Sequence, residues 1–510
     1  MSKTTRLTLS PSDVRFGLAV GGLVYVNPFL PERIHWEREA LGEAFDASGA
    51  DWNLHFQPQQ PLPNVTRILD RIAGLIEPMT HDDAPDFPSA AKAREAYENM
   101  VLFHLFHRYS EAFDTLIETP PERGQAQRAA GTLYRRFHTG AAKLLVRRGE
   151  PLQPDYAPEH LFACFFQIRR AFYHIFRLLV GRSQPMIRLR AAIWESLFSH
   201  DMRRYRRTLY SRMGDMATLI TGPTGTGKEL VARAIGLSCY IPFDPDSERF
   251  TLPFDASFFP LNLSALSPTL IESELFGHRK GAFTGAWQDR SGWLETCPQH
   301  GSVFLDEIGE VDPAVQVKLL RVLQSRTFQR IGDTAESRFH GKIIAATHRN
   351  LAGAVMAGRF REDFYYRLCS DQITTPGLAE QLQDQPEELE HLVGFLATAI
   401  IGGEEGPTFA AEAVSWIRKN LGPGYPWPGN FRELDQCVRN LLIRGAYQPL
   451  ARPVDGAEDE MLARGFLEGH FTLDDLLGHY CRRSYRQHGS YEAAAQALGA
   501  DWRTVKRHAG

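Results

Sequence analysis

Cysteine is sparse in this sequence and never paired. The six residues, at 164, 239, 297, 369, 437 and 481, include no C-x-x-C. That argues against a zinc site or a disulfide framework and points to a reducing compartment. A strong excess of one charge is also missing. With a formal net charge of −4, the chain as a whole does not attract nucleic acid, so any DNA binding must come from a local patch. Uncharged apolar runs are absent too. The most apolar window, LFACFFQIRRAFYHIFRLLV at 161–180, carries Arg169, Arg170 and Arg177, which makes it a buried or partner-packed helix and not a membrane span. No N-terminal stretch joins basic residues, an apolar run and a small-residue cleavage site, so no signal peptide is expected. The expectation is a cytoplasmic protein without a membrane partner. Internal repeats are lacking as well.

What is present is length and composition for several cores. The 510 residues, 43% hydrophobic and 23% charged, suit a globular protein of three or four domains. Residues 1–185 form one block, expected to be a mostly helical regulatory domain. Leu23-Val24-Tyr25-Val26 reads as a short strand, and 91–117, 126–148 and 157–181 read as helices. From 186 to 375 apolar strands (216–221, 258–263, 302–305, 342–347) alternate with helices, the pattern of an α/β domain whose parallel sheet is covered on both faces. Helical patterns alone follow over 376–448, then a Pro/Gly/acidic linker at 449–469, then a small, slightly basic helical unit at 470–510.

GPTGTGKE at 222–229 stands between strand 216–221 and the helical pattern KELVARAIG. This is a P-loop arrangement. Gly222, Pro223, Thr224, Gly225, Thr226 and Gly227 would wrap backbone N–H groups around phosphates, and Lys228 would reach the terminal ones. The helix N-terminus behind the loop adds a favourable dipole. Glu229 stands where a P-loop usually has the Ser or Thr that helps hold Mg²⁺. VFLDEIGE at 303–310 then places Asp306 and Glu307 at the end of an apolar strand. Two adjacent carboxylates there suit a metal partner and a base that orients water, with Asp306 toward Mg²⁺ and Glu307 toward the water.

Between these motifs lies GAFTGA: Gly281, Ala282, Phe283, Thr284, Gly285 and Ala286. Flanking glycines favour a tight exposed loop, so Phe283 is expected to be displayed for contact. Through ESELFGHRKGAFTGA at 272–286 the chain resembles the bacterial enhancer-binding proteins, the AAA+ ATPases that activate sigma-54 RNA polymerase. The resemblance covers roughly 215–445 and the C-terminus. It implies an AAA+ P-loop domain with a helical lid, ATP and Mg²⁺ as cofactors, and a ring, a hexamer by family habit. The 281–286 loop would then touch sigma-54 through Phe283 and Thr284.

The resemblance also implies roles for single residues. Asn262 in PLNLSAL matches the asparagine that holds the catalytic glutamate in an off position. Arg361 and Arg367 in GRFREDFYYRL match the arginine-finger segment that stabilises γ-phosphate charge across a subunit boundary. Arg432 in YPWPGNFREL matches the lid residue that points at nucleotide. Three departures stand out. His348 occupies a strand-end sensor position where the family usually has Asn, PGLAEQ at 376–381 lacks arginines usual there, and 186–215 and 238–258 are longer than the family norm.

GSYEAAAQALGADWRTVKRH at 489–508 reads as helix, glycine turn, helix. Ala494, Ala495 and Leu498 give a packing face, Gly499 the turn and Asp501 an N-cap. Arg503, Thr504, Lys506 and Arg507 would face a DNA major groove, and the unit resembles the Fis-type helix-turn-helix that ends the same family. The N-terminal block has no receiver-domain pattern. His104, His107, His138 and His174 admit a metal site, but no carboxylate or cysteine joins them at ligand spacing, so packing in aromatic helices is expected. An unidentified effector is expected to act there. The reading is a DNA-binding, ATP-driven activator that remodels the closed sigma-54 promoter complex on double-stranded upstream DNA. The alternatives are an AAA+ remodeller of another protein, or a nucleotide-binding repressor or scaffold with weak turnover.

Overall fold

A computed structural model describes residues 6–48, 62–81, 83–118, 123–153, 156–254, 257–450, 465–466 and 471–509. Most of the segment expected to be a linker at 449–469 lies outside them. Contacts divide the chain into two units, Met1–Ile443 and Arg444–Gly510.

Among the described residues the first unit opens with seven α-helices: α1 (Pro11–Tyr25), α2 (Glu32–Leu41), α3 (Pro63–Ile76), α4 (Ala91–Glu118), α5 (Arg123–Leu145), α6 (Pro158–Leu178) and α7 (Gln184–Phe198). The strand expected at 23–26 is instead the end of α1 and its C-cap. A capping box of Ser10 and Asp13 starts that helix, and its glycines let it lie close to its neighbours. A Cβ on Gly17 would stand 2.7 Å from Ala96 Cβ, and one on Gly21 2.2 Å from the Asn99 side chain. Packing on α4 outweighs the β propensity of Val24 and Tyr25. The helices expected at 91–117, 126–148 and 157–181 are α4, α5 and α6, with ends moved by a few residues.

The sheet has five strands, β1 (Thr218–Thr221), β2 (Phe258–Asn262), β3 (Ser302–Asp306), β4 (Lys342–Thr347) and β5 (Asp371–Thr374), in the order β5-β1-β4-β3-β2. Every pairing is parallel. Ile343, Ile344, Ala345 and Ala346 of β4 are all buried, as a central strand covered on both faces requires. A lid of helices follows, Glu388–Ile401, Gly406–Asn420 and Asn430–Arg444.

The long 238–258 segment serves the N-terminal helices. Its hairpin, Phe243–Asp244 against Arg249–Phe250, inserts Phe250 onto Phe166 of α6 with ring centroids 4.6 Å apart, and Phe243 onto Tyr134 of α5 at 4.5 Å. Gln127 closes the contact with its carboxamide, Nε2 donating to Phe250 O and Oε1 accepting from Phe250 N. On its other face α6 holds the end of the P-loop helix (Lys228–Gly236). Fully buried Arg170 donates to Leu237 O and, at 3.2 Å, to Cys239 O, while Gln167 donates to Ser238 O at 3.0 Å. Burial lowers the Arg170 pKa to about 10, so it stays a cation at neutral pH and suits these carbonyls at a helix C-terminus. Arg170→Met would strand two part-buried carbonyls and is expected to cost about 2–3 kcal/mol, read as a lowered urea midpoint.

In the second unit a capping box of Thr472 and Asp475 starts helix Leu473–His488, which is followed by Tyr491–Leu498 and Trp502–Ala509. Gly499, at φ 62°, makes the turn into the last helix, whose Arg503 N–H donates to Asp501 at 2.8 Å. Cys481, Ala494, Ala495 and Val505 form the small core, with Leu498 partly buried against it.

Candidate nucleotide site and loop

The carboxyl ends of β1, β3 and β4 meet at one edge of the sheet, where α/β folds place ligands. After β1 the chain turns through Gly222, Gly225 and Gly227, all at positive φ (143°, 81° and 87°). A Cβ on Gly222 would sit 2.2 Å from Thr375 Oγ1, and one on Gly225 2.2 Å from Gly429 O, so only glycine fits either position. Lys228 is buried and its Nζ donates to Gly222 O (2.9 Å) and Pro223 O (3.0 Å). Burial lowers its pKa, opposed by the charges of Glu307 and Asp306. Thr226 bonds Pro223 O and Thr375 Oγ1. Glu229 lies in the first turn of the helix behind the loop and adds to the charge around Asp306.

Asp306 ends β3, and its pKa is raised, by burial first and then by Glu307. Glu307 follows at φ 58° and ψ 48°, a left-handed conformation that costs a non-glycine residue of order 1 kcal/mol and recurs at functional sites. Its Oε2 lies 2.8 Å from His348 Nδ1 and accepts from the His348 N–H at 3.4 Å. Asn262 stands opposite Asp306 in the sheet register, but its side chain does not reach Glu307. Its Oδ1 accepts from Ser264 N (3.0 Å) and Ser264 Oγ (2.8 Å). The polar partner of Glu307 here is His348.

The lid bonds directly to the P-loop. Phe431 N donates to Gly225 O (3.0 Å), and Asn430 Nδ2 to Thr224 O (3.0 Å), while Asn430 Oδ1 accepts from Leu378 N (2.9 Å). The Arg432 Cβ lies 3.1 Å from where a Gly225 Cβ would be, and its charge is felt at Lys228. Asn430, buried and at φ 52°, went unnoticed in the sequence beside Arg432. The Gly-Asn pair in PGN was the available signal, since asparagine tolerates the left-handed region. Arg361 is exposed and held by Asp363 at 3.0 and 2.8 Å, and Arg367 is exposed on the same short helix, Glu362–Leu368. Neither is brought to Glu307 within this chain.

The 281–286 loop stands on a built neck. His278 and Arg290 exchange backbone bonds at 2.9 Å, and Arg279 bridges Asp289 (2.6 Å) and Asp333 (2.8 Å). Gly281 and Gly285 have positive φ, and Gly281 N donates to Ala286 O. Phe283 is not fully displayed. It is half-buried, with its ring 4.9 Å from that of His278, because the loop folds down and Ala282 meets Gly332. Ala286 is buried, Thr284 exposed, and Trp287, which the motif reading passed over, is 85% exposed.

In the C-terminal unit Arg503, Lys506 and Arg507 are exposed on the last helix, whereas Thr504 is half-buried beside Val505. The N-terminal histidines sit among rings: His107 against Phe103 and Phe106, His138 against Tyr134, and His174 against Tyr173. No helix of the described residues is long and apolar enough to cross a membrane.

With this geometry in place, residues 197–374 match the family model described as the sigma-54 interaction domain. The Nif-specific regulatory protein of Azotobacter vinelandii is 43% identical over 236 residues, 46% of this chain and 41% of that protein. The transcriptional regulatory protein ZraR of Escherichia coli is 42% identical over 235 residues, 46% of this chain and 49% of that one. The hydrogenase transcriptional regulatory protein HoxA of Bradyrhizobium diazoefficiens is 39% identical over 267 residues, 51% of each. The chain thus spans about half the length of the curated relatives it matches. A crystal structure of NtrX from Brucella abortus in complex with ATP aligns with a TM-score of 0.38 and 25% identity, over 70% of this chain and 76% of that one.

Proposed function

We propose, from the match of residues 197–374 to the sigma-54 interaction domain, that the chain is an ATP-driven activator of sigma-54 RNA polymerase. It binds upstream DNA through its last helices, assembles as a ring and spends ATP hydrolysis on remodelling the closed promoter complex. One observation carries the reading: a GAFTGA loop on a built neck shares its domain with a P-loop and an Asp-Glu strand end. The connection between them is short. Asn262 caps the turn that leads to helix Pro268–Phe276, from which the neck rises. Glu272 of that helix pairs at 2.8 Å with Lys318 of helix Pro313–Ser325, which follows the Glu307 turn.

In this reading the residues divide the work. The P-loop N–H groups and Lys228 bind the phosphates, and the lid's Asn430 and Arg432 sit against the same loop. Bound Mg²⁺ would neutralise phosphate charge, with Asp306 in its shell and Glu229 near it. Glu307 orients and polarises the attacking water, and His348 positions Glu307. Arg361 and Arg367 act on a neighbouring subunit's nucleotide, Arg361 exchanging Asp363 for phosphate. The geometry suits ATP: three positive-φ glycines and a buried lysine make a cradle that a side chain would fill.

The test is reconstitution with sigma-54 holoenzyme on a closed promoter complex. ATP-dependent open-complex formation supports the reading, and ATP turnover without promoter opening refutes it in favour of a remodeller of another target. For the DNA arm, Arg503→Ala with Lys506→Ala is expected to weaken binding. The double variant should also lower the salt slope of log K by about 2, measured by fluorescence anisotropy against ionic strength. An unchanged slope would remove these residues from the DNA contact.

A further inference from the structure

A cavity of about 160 Å³ lies inside the N-terminal helices, walled by Val65 of α3, Leu102 and Phe106 of α4, Phe165 and Phe172 of α6, and Trp194 of α7. We propose that it binds a small neutral aromatic molecule, of the size of a monosubstituted benzene, and that occupancy regulates ATP turnover through α6 and α7. The regulatory half rests on the ATPase reading above; the binding half does not.

Size and chemistry set the ligand class. An apolar cavity of roughly 150 Å³ is enough to hold benzene, and aromatic walls favour tilted and edge-on ring contacts. The charged groups at the wall already have partners. Arg33 pairs with Glu37 along α2, and Arg169 is bidentate to Asp114. His107, also at the wall, is held neutral, its pKa pushed down to about 3 by burial, with Arg169 and His104 adding. A charged ligand would therefore be desolvated without a counter-charge, which is costly. The indole N–H of Trp194, whose residue is 3% exposed, has no hydrogen-bond partner among the described residues. A ligand carrying one acceptor, such as a phenolic oxygen, would satisfy it.

The walls lead to the nucleotide site. Phe165, Ile168, Arg169 and Phe172 follow i, i+3, i+4, i+7 spacing and line the cavity from one face of α6. From the opposite face Gln167 and Arg170 hold the end of the P-loop helix. On α7, two residues after Trp194, Ser196 Oγ lies 3.2 Å from Thr218 Oγ1 of β1, the strand that enters the P-loop. A ligand that favours one setting of these helices over another shifts the P-loop between states by its differential affinity.

The experiment is fluorine NMR of fluorobenzene and 4-fluorophenol with the full chain, with ATP turnover measured in parallel. Saturable binding of both is expected. Val65→Phe, which fills the cavity from a half-buried position, should weaken both at least tenfold while nucleotide affinity and melting midpoint persist. Trp194→Phe should weaken 4-fluorophenol about tenfold more than fluorobenzene, the effect of one buried hydrogen bond. Saturating 4-fluorophenol should change turnover severalfold in the wild type and not in Val65→Phe. Absence of saturable binding, or equal binding by a folded Val65→Phe, overturns the site. Binding without any change in turnover overturns the coupling. A chain that binds the probe but never hydrolyses ATP overturns the ATPase reading and leaves the cavity site standing.

Discussion

Glu307→Gln is expected to lower ATP turnover by about 10²–10⁴-fold, the range for losing a positioned general base, while ATP still binds. The geometry separates the two effects. Lys228 bonds Gly222 O and Pro223 O and makes no hydrogen bond to Glu307, and the glycine cradle is set by backbone φ, so a neutral isostere should remove the water-orienting charge and spare the binding groups. The amide also keeps an oxygen that can meet His348 Nδ1, now 2.8 Å from the carboxylate, so the left-handed backbone at 307 has its side-chain anchor. Stopped turnover with equilibrium ATP affinity within a few-fold of wild type is the supporting result. Equal turnover by wild type and variant would place the chemistry elsewhere, or show that the chain is a nucleotide-binding scaffold. His348→Asn supplies the companion measurement: as a positioning residue it should alter the rate and leave affinity alone.

That histidine also shows where the sequence was informative and where it stopped. The P-loop, the Asp-Glu strand end and four of the five sheet strands were legible because each is local: an apolar run followed by residues with one geometric job. β5 was missed because DQIT at the sheet edge buries only Ile373 deeply, too little apolar pattern to register. The run at 23–26 misled in the opposite sense, since nothing local announces that Gly17 and Gly21 press α1 against α4. The 238–258 segment was visible as extra length only. Its purpose depends on Phe166 and Tyr134, distant in sequence. The same holds at the site, where the resemblance suggested Asn262 as the partner of Glu307. Register does place Asn262 beside Asp306, but a carboxamide one residue before a 3₁₀ turn finds Ser264 first, which leaves Glu307 to His348.

Thr284→Ala should hydrolyse ATP at the wild-type rate and assemble normally, yet lose promoter opening by roughly 30-fold or more, the scale of a contact worth at least 2 kcal/mol. Thr284 is exposed and no bond of the neck depends on it. Arg279 with Asp289 and Asp333, and the His278–Arg290 backbone pair, fix the loop base without it. Phe283→Ala differs, because that ring also packs edge-on against His278. Its loss should loosen the loop as well as remove contact area, so it cannot isolate the partner contact as Thr284→Ala does. Trp287, 85% exposed at the foot of the same loop, offers a larger surface than either, and interface aromatics of this kind carry much of a binding energy. Trp287→Ala should therefore impair activation alongside Thr284→Ala while turnover holds. Turnover, ring assembly and open-complex formation measured on both variants decide the matter. A Thr284→Ala protein that opens promoters normally would mean that the loop is not the output of this machine.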